Sequence, residues 1–185
     1  MESSRKNSNL SLGDSVVVAL GSNVSDGFAS CEALLEAALA EFPRAGLPVI
    51  ARSGWWRSAA WPDPAGPEYR NGVAIVETND PPDAVLAKLH AIECRFRRVR
   101  VLRNAPRTLD LDLIAHGRRV IDQPGLQLPH PRAAERLFVM GPLAEIAPDW
   151  RHPVTGRTAE ELALAATVGR DATPLQSSSH GQPPG

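Results

Sequence analysis

Two cysteines in 185 residues, Cys31 and Cys94, are too few for a disulfide framework. Each falls in a helical pattern far from the other, so both read as core-filling thiols rather than a bridge or a metal pair. Charge of one sign is also missing: 20 Lys and Arg against 21 Asp and Glu leave a formal net charge of −1. That balance excludes a protein-wide field drawing the chain to nucleic acid or to a membrane surface. No apolar run approaches the length needed to span a bilayer. Met1 to Ser15 lack the apolar segment of a secretion signal and read as a disordered leader, residues 1–15, on a cytoplasmic protein. No internal repeat is visible. From Arg170 onward Ser, Pro, Gly and Gln dominate with almost nothing to bury, so 170–185 reads as a disordered tail with His180 solvated. What remains, 16–169, is one domain with enough apolar sequence for a core.

Within that domain Val16 to Leu20 is a continuous apolar run ending at Gly21-Ser22-Asn23, the pattern of a buried strand entering a turn. Ser25 or Asp26 is placed to cap a helix carrying Leu34, Leu35, Ala38, Leu39 and Phe42, which Pro43 stops. Val49 to Trp56 is a strand candidate, Trp61 to Pro67 a stiff proline-rich loop, and Asn71 to Glu77 a third strand. Asp80-Pro81-Pro82-Asp83 starts a helix with Val85, Leu89, Ile92 and Phe96 on one face. The strand holding Asp110 follows, then a hairpin through His116-Gly117 into Val120-Ile121, a helix over Ala133 to Ile146, and a last one capped by Thr158. The order β-α-β-β-α-β with added helices predicts an α+β, ferredoxin-like split β-α-β sandwich, with helices on one face of a mainly antiparallel sheet.

The chemistry concentrates in Arg107-Thr108-Leu109-Asp110-Leu111-Asp112-Leu113. Alternation puts the three leucines on one face of a strand and Thr108, Asp110 and Asp112 on the other, the carboxylates about 6–7 Å apart at their Cα atoms. Such a pair holds one or two hard cations, most naturally Mg²⁺ with substrate phosphates completing the shell. An edge strand whose charges deter aggregation would show the same alternation. Arg98 and Arg100 lie just upstream, at the end of a helix whose dipole they also complement; with Arg107 they favour a polyphosphate ligand. His130 sits between two prolines and is suited either to cap the next helix or to donate to phosphate, and Arg136 has the same pair of roles. Tyr69 and Asn71 share a strand face, an aromatic plane beside an amide edge that suits a flat heterocycle, although packing and a turn account for both equally well. By residue type alone Phe138 is a core residue.

Together Ala19-Leu20-Gly21-Ser22-Asn23, Tyr69-x-Asn71, Arg98-x-Arg100, Pro106-Arg107-Thr108-Leu109-Asp110-Leu111-Asp112, Leu128-Pro129-His130-Pro131, Phe138 and Pro142-Leu143-x-Glu145-Ile146-Ala147-Pro148 resemble the 6-hydroxymethyl-7,8-dihydropterin pyrophosphokinases of folate biosynthesis. The resemblance spans Val16 to Leu164. It implies transfer of an intact pyrophosphoryl group from MgATP to the pterin hydroxymethyl oxygen, with release of AMP. Carried over by residue, Asp110 and Asp112 hold two Mg²⁺ ions, and Arg98 and Arg107 neutralise the transferring group with help from Arg100. His130 and Arg136 contact ATP phosphates and Glu93 lies near the nucleotide. Tyr69 and Phe138 sandwich the pterin, Asn71 bonds its edge, and Ser58 belongs to the pterin-side loop. ATP and the pterin are the partners, with no nucleic acid and no membrane, and the enzyme is expected to be a monomer. The sequence departs from the family at Asn104-Ala105 for Trp-Gly, at Ser58-Ala59-Ala60 for Thr-Pro-Pro, and at Gly125 and Gln127 for Arg and Thr. A nucleic-acid-binding sheet and a Mg²⁺-dependent phosphodiesterase are the competing readings; the aspartate pair disfavours the first, and the lack of further carboxylates at ligand spacing the second.

Overall fold

A computed structural model of the chain describes residues 14–60, 64–96 and 108–176. The continuous run at the start forms β1 (Val16–Ser22), in which every residue but Gly21 is buried. A strand that is apolar at consecutive positions must be covered on both faces, and this one is. Val16, Val18 and Leu20 pack with Leu34, Leu35 and Leu39 of α1 (Cys31–Glu41) and with Val85, Leu89 and Ile92 of α2 (Pro82–Phe96). Val17 and Ala19 face the opposite way, onto Val139, Met140 and Leu143 of α3 (Leu137–Ile146) and Leu162 of α4 (Ala159–Ala165).

β2 (Val49–Arg52), β3 (Trp56–Ser58), β4 (Tyr69–Val76) and β5 (Asp110–His116) join β1 in one antiparallel sheet, ordered β5-β1-β4-β3 with β2 also pairing β4. This is the ferredoxin-like arrangement, with α1 and α2 together on one face as expected. The second face is not left wholly open: α3 and α4 pack on Val17, Ala19, Val73 and Ile75, and a cavity opens over the end where β1 finishes and β5 begins. Leu111 and Leu113 face the α1–α2 core, so Asp110 and Asp112 share that end. Past them β5 carries an extra residue against β1, Leu113 pairing Val18 and Ala115 pairing Val17. The bulge turns both Ile114 and Ala115 toward α3.

Several boundaries differ from those predicted. Ser30, not Ser25 or Asp26, caps α1, its side chain accepting the Ala33 amide at 3.1 Å; Asp26 and Gly27 instead take positive φ in a preceding turn. The strand expected over Val49 to Trp56 is split at Ser53–Trp55. The predicted hairpin from β5 does not form: β6 (Ile121–Gln123) pairs only with β7 (Leu126–Leu128) among the described residues, a small ribbon of its own. The helix expected from Ala133 is a 3₁₀ turn over Ala133–Glu135, then an extended Arg136, then α3. Order also continues past 169. β8 (Thr173–Pro174) pairs with β3, and Asp171 accepts the Ala59 amide, so the outer edge of β3 is closed rather than left unpaired. Among the described residues no helix is long and apolar enough to cross a membrane.

Candidate active site

The cross-strand register builds the floor of the site. Gly21 on β1 stands opposite Asp110 on β5 and Asn71 on β4, and Asn71 stands opposite Trp56 on β3. At the spacing of neighbouring strands Asp110 and Asn71 are about 10 Å apart, with only a glycine between them. A side chain at 21 would rise into that gap. The next row places Ala19 opposite Asp112, again a small residue beside a carboxylate. Over this floor lies a cavity of about 190 Å³ lined by Ser58, Tyr69, Asn71, Asp110, Asp112, Arg132, Arg136 and Phe138. A second hollow, of about 610 Å³, lies between the β6–β7 ribbon, Leu86 of α2, His130 and Asp112. Asp112 lines both.

Each wall of the first cavity is fixed by a traceable contact. Asn71 is buried and donates from Nδ2 to Ser58 Oγ at 2.9 Å, which leaves its amide oxygen on the Gly21 side. Glu145, in the Pro-Leu-x-Glu segment of α3, accepts the Gly54 amide at 2.8 Å and Trp56 Nε1–H at 2.9 Å, holding β3 and hence Ser58 in place. Arg136 leaves the helical path because its backbone bridges Val168, with Leu137 N–H donating to Val168 O at 2.9 Å. Its guanidinium then lies 5.7 Å from the centre of the Phe138 ring. That ring also lies against Gly169, where an added Cβ would collide with it and where φ is +68°. Gly169→Ala is therefore expected to tilt Phe138 into the cavity, to cost about 1–3 kcal/mol of stability and to raise the KM for the cavity's ligand about tenfold. Thermal melts paired with steady-state kinetics check both.

His130 is held by its own N–H donating to Ile114 O at 2.8 Å, beside β5. Its Nδ1 accepts the Arg132 amide at 3.2 Å, so the ring proton sits on Nε2 as a donor. Burial pushes its pKa down; the nearby Asp112 carboxylate opposes this, and Arg136 and Arg132 add to it. The imidazole is therefore neutral at pH 7 and offers a hydrogen bond rather than a charge.

The structure thus brings together Ser58, Tyr69, Asn71, Asp110, Asp112, Arg136 and Phe138, with His130 in the adjoining hollow. Glu93 lines neither; it is buried and accepts the Leu111 amide. Arg98, Arg100, Arg107 and the Asn104-Ala105 pair lie outside the described residues. Gly125 forms the tip of the β6–β7 turn with φ +84°, a conformation that disfavours the family's arginine there, and Gln127 donates to Asp122 at 2.8 Å. Arg132 is a cavity-lining residue that the sequence reading missed. Its position two residues after His130, four before Arg136, was the available signal. Two carboxylates from alternate positions of one strand, facing arginines across a cavity, form a hard-oxygen donor set that fits Mg²⁺ shared with a phosphate ligand. Among the described residues no group of three or more His, Cys, Asp or Glu side chains is placed to hold a metal entirely from protein.

Comparison with known proteins identifies the family and the fold. The family described as 7,8-dihydro-6-hydroxymethylpterin-pyrophosphokinase (HPPK) matches residues 17–148. The 2-amino-4-hydroxy-6-hydroxymethyldihydropteridine pyrophosphokinase of Synechocystis sp. is 43% identical over 147 residues, 79% of this chain and 73% of that protein. Its namesake from Pseudomonas aeruginosa is 42% identical over 154 residues, 81% of this chain and 90% of that protein. Among solved structures, Plasmodium falciparum HPPK-DHPS with pteroate superposes with a TM-score of 0.62 at 13% identity, over 81% of this chain and 42% of that one. This chain therefore spans less than half of that longer protein, and the likeness concerns the fold. On the matched family and the two relatives, the chain belongs to the 7,8-dihydro-6-hydroxymethylpterin-pyrophosphokinase family.

Proposed function

We propose that this protein transfers the pyrophosphoryl group of ATP to the hydroxymethyl oxygen of 6-hydroxymethyl-7,8-dihydropterin, giving AMP and the pterin diphosphate in folate biosynthesis. The observation that carries the reading is Asp112, which lines both the aromatic-walled cavity and the hollow beside the β6–β7 ribbon. Two substrates seated in those two spaces meet at the aspartates. In the first, Tyr69 and Phe138 stack the pterin and the Asn71 amide bonds its edge. In the second, His130 donates from Nε2 to an ATP phosphate oxygen and Arg136 neutralises charge at the junction. Arg98, Arg100 and Arg107 keep the role that the family resemblance implies for them, neutralising charge on the transferring group.

The pterin oxygen forms its bond to the β-phosphorus while the bond from that phosphorus to the α-phosphate oxygen breaks, and the hydroxyl proton passes to solvent. Displacement at phosphorus needs mainly positioning and charge stabilisation, which this site is equipped to give. Asp110 and Asp112 would hold Mg²⁺, in two ions by this reading, which supplies positive charge to the phosphate oxygens. The enzyme acts as a cytoplasmic monomer with no nucleic-acid or membrane partner.

The test is incubation of the purified protein with Mg²⁺, ATP and 6-hydroxymethyl-7,8-dihydropterin, following AMP and the pterin diphosphate by chromatography. AMP formed in step with the diphosphate and only when pterin is present is the expected result. AMP or ADP formed equally without pterin would replace this reading with a phosphohydrolase.

A further inference from the structure

The peptide between the two aspartates has a fastener of its own. Among the described residues β5 is an edge strand of the sheet, with no neighbouring strand to pair its outward amides. The outward Leu111 N–H lies between Asp110 and Asp112, and it donates to Glu93 Oε1 at 2.8 Å. Three residues along the same edge, Ile114 O accepts the His130 amide at 2.8 Å. The two contacts bracket Asp112.

Glu93 is only 5% exposed and lies in the last turn of α2. Both features disfavour a carboxylate, since burial strips its hydration and the C-terminal end of a helix dipole repels it. Its neighbour Ile92 packs in the same core cluster as Leu109, Leu111 and Leu113, which leaves the acceptor little freedom to shift relative to β5.

We infer that Glu93 is a positioning residue for the metal-binding pair. Its carboxylate fixes the Leu111 peptide, and thereby sets the spacing at which Asp110 and Asp112 present their oxygens. This differs from the direct place near the nucleotide that the family resemblance implied, and it rests on the assignment of Asp110 and Asp112 to Mg²⁺. The choice of metal makes the role measurable. Mg²⁺ tolerates only near-octahedral ligands at about 2.0–2.1 Å, whereas Ca²⁺ accepts six to eight oxygens in loose geometry. A misplaced peptide must therefore harm Mg²⁺ binding more than Ca²⁺ binding.

The experiment is calorimetric titration of the intact protein with a non-hydrolysable ATP analogue in excess Mg²⁺ or excess Ca²⁺, without pterin. Glu93→Ala is expected to weaken binding about tenfold or more with Mg²⁺ and less than about threefold with Ca²⁺. Glu93→Gln, which keeps an oxygen acceptor for the Leu111 amide, should recover the Mg²⁺ value to within about threefold of the parent. Should the alanine variant fail to fold, Glu93→Leu fills the volume without a buried charge and carries the same expectation. Unchanged Mg²⁺ binding in the alanine or leucine variant overturns the inference, as do equal losses with both metals or a glutamine variant as weak as alanine. Absence of metal-dependent binding in the parent protein would overturn the pyrophosphokinase reading as well, which separates the two failures.

Discussion

Asp112→Ala is expected to lower turnover by about a thousandfold or more, with the folded state intact. Asp112 lies on a strand whose opposite face is anchored by Leu111 and Leu113, and its own side chain is only partly buried, so removing it opens no core cavity. Aspartate is also a poor strand former, so alanine does not weaken the sheet by propensity. What changes is the junction. Asp112 borders both substrate spaces, and without it Asp110 alone remains of the carboxylate pair. The Mg²⁺ that the pair would hold is then bound poorly, and charge developing on the phosphate oxygens would lose that counter-charge in a partly water-excluded site, where such interactions are strongest. Release of AMP under saturating substrates measures the loss, and circular dichroism checks the fold. Turnover within tenfold of the parent would refute the placement of metal and phosphates at these aspartates.

How much of this was legible beforehand depended on how local the cause was. The alternation of Leu109 to Leu113 and the continuous Val16 to Leu20 run are consequences of which faces are buried, and both are realised as expected. The last helix is likewise decided within four residues, Thr158 and Glu161 forming a reciprocal cap. The misses have distant causes. Arg136 is drawn out of a helical path by Val168, thirty-two positions away, and nothing near Arg136 announces it. β8 is two residues long, too short to show a period, and exists because β3 offers it an edge. The ribbon of β6 and β7 pairs with itself because the chain turns at Gly125, while the outer edge of β5 is instead met by Glu93 and His130. Site residues followed the same rule. Asp110 and Asp112 were readable as a pair on one strand, whereas the meeting of Asn71 with Ser58, and of Phe138 with Gly169, is made by register and packing.

Asn71→Ala is expected to separate the two substrates, weakening pterin binding about 10- to 100-fold while changing nucleotide affinity less than about threefold. The amide lines the first cavity only, and no part of it borders the hollow that His130 and the β6–β7 ribbon enclose. Its Nδ2 donates to Ser58 Oγ at 2.9 Å, an arrangement that fixes which end of the amide faces the ligand. Truncation therefore removes the ligand's partner and also leaves the buried Ser58 hydroxyl without that donor. A heterocycle edge buried opposite alanine forfeits a hydrogen bond it would have kept in water, and that penalty exceeds the value of the bond itself. Ser58→Ala should reproduce part of the loss by freeing the Asn71 amide to rotate, although its own side chain need not touch the pterin. Calorimetric titrations of each substrate in the parent and both variants measure the split. Equal losses for pterin and nucleotide would count against an edge-binding role, because only a general disturbance of the sheet weakens both spaces alike.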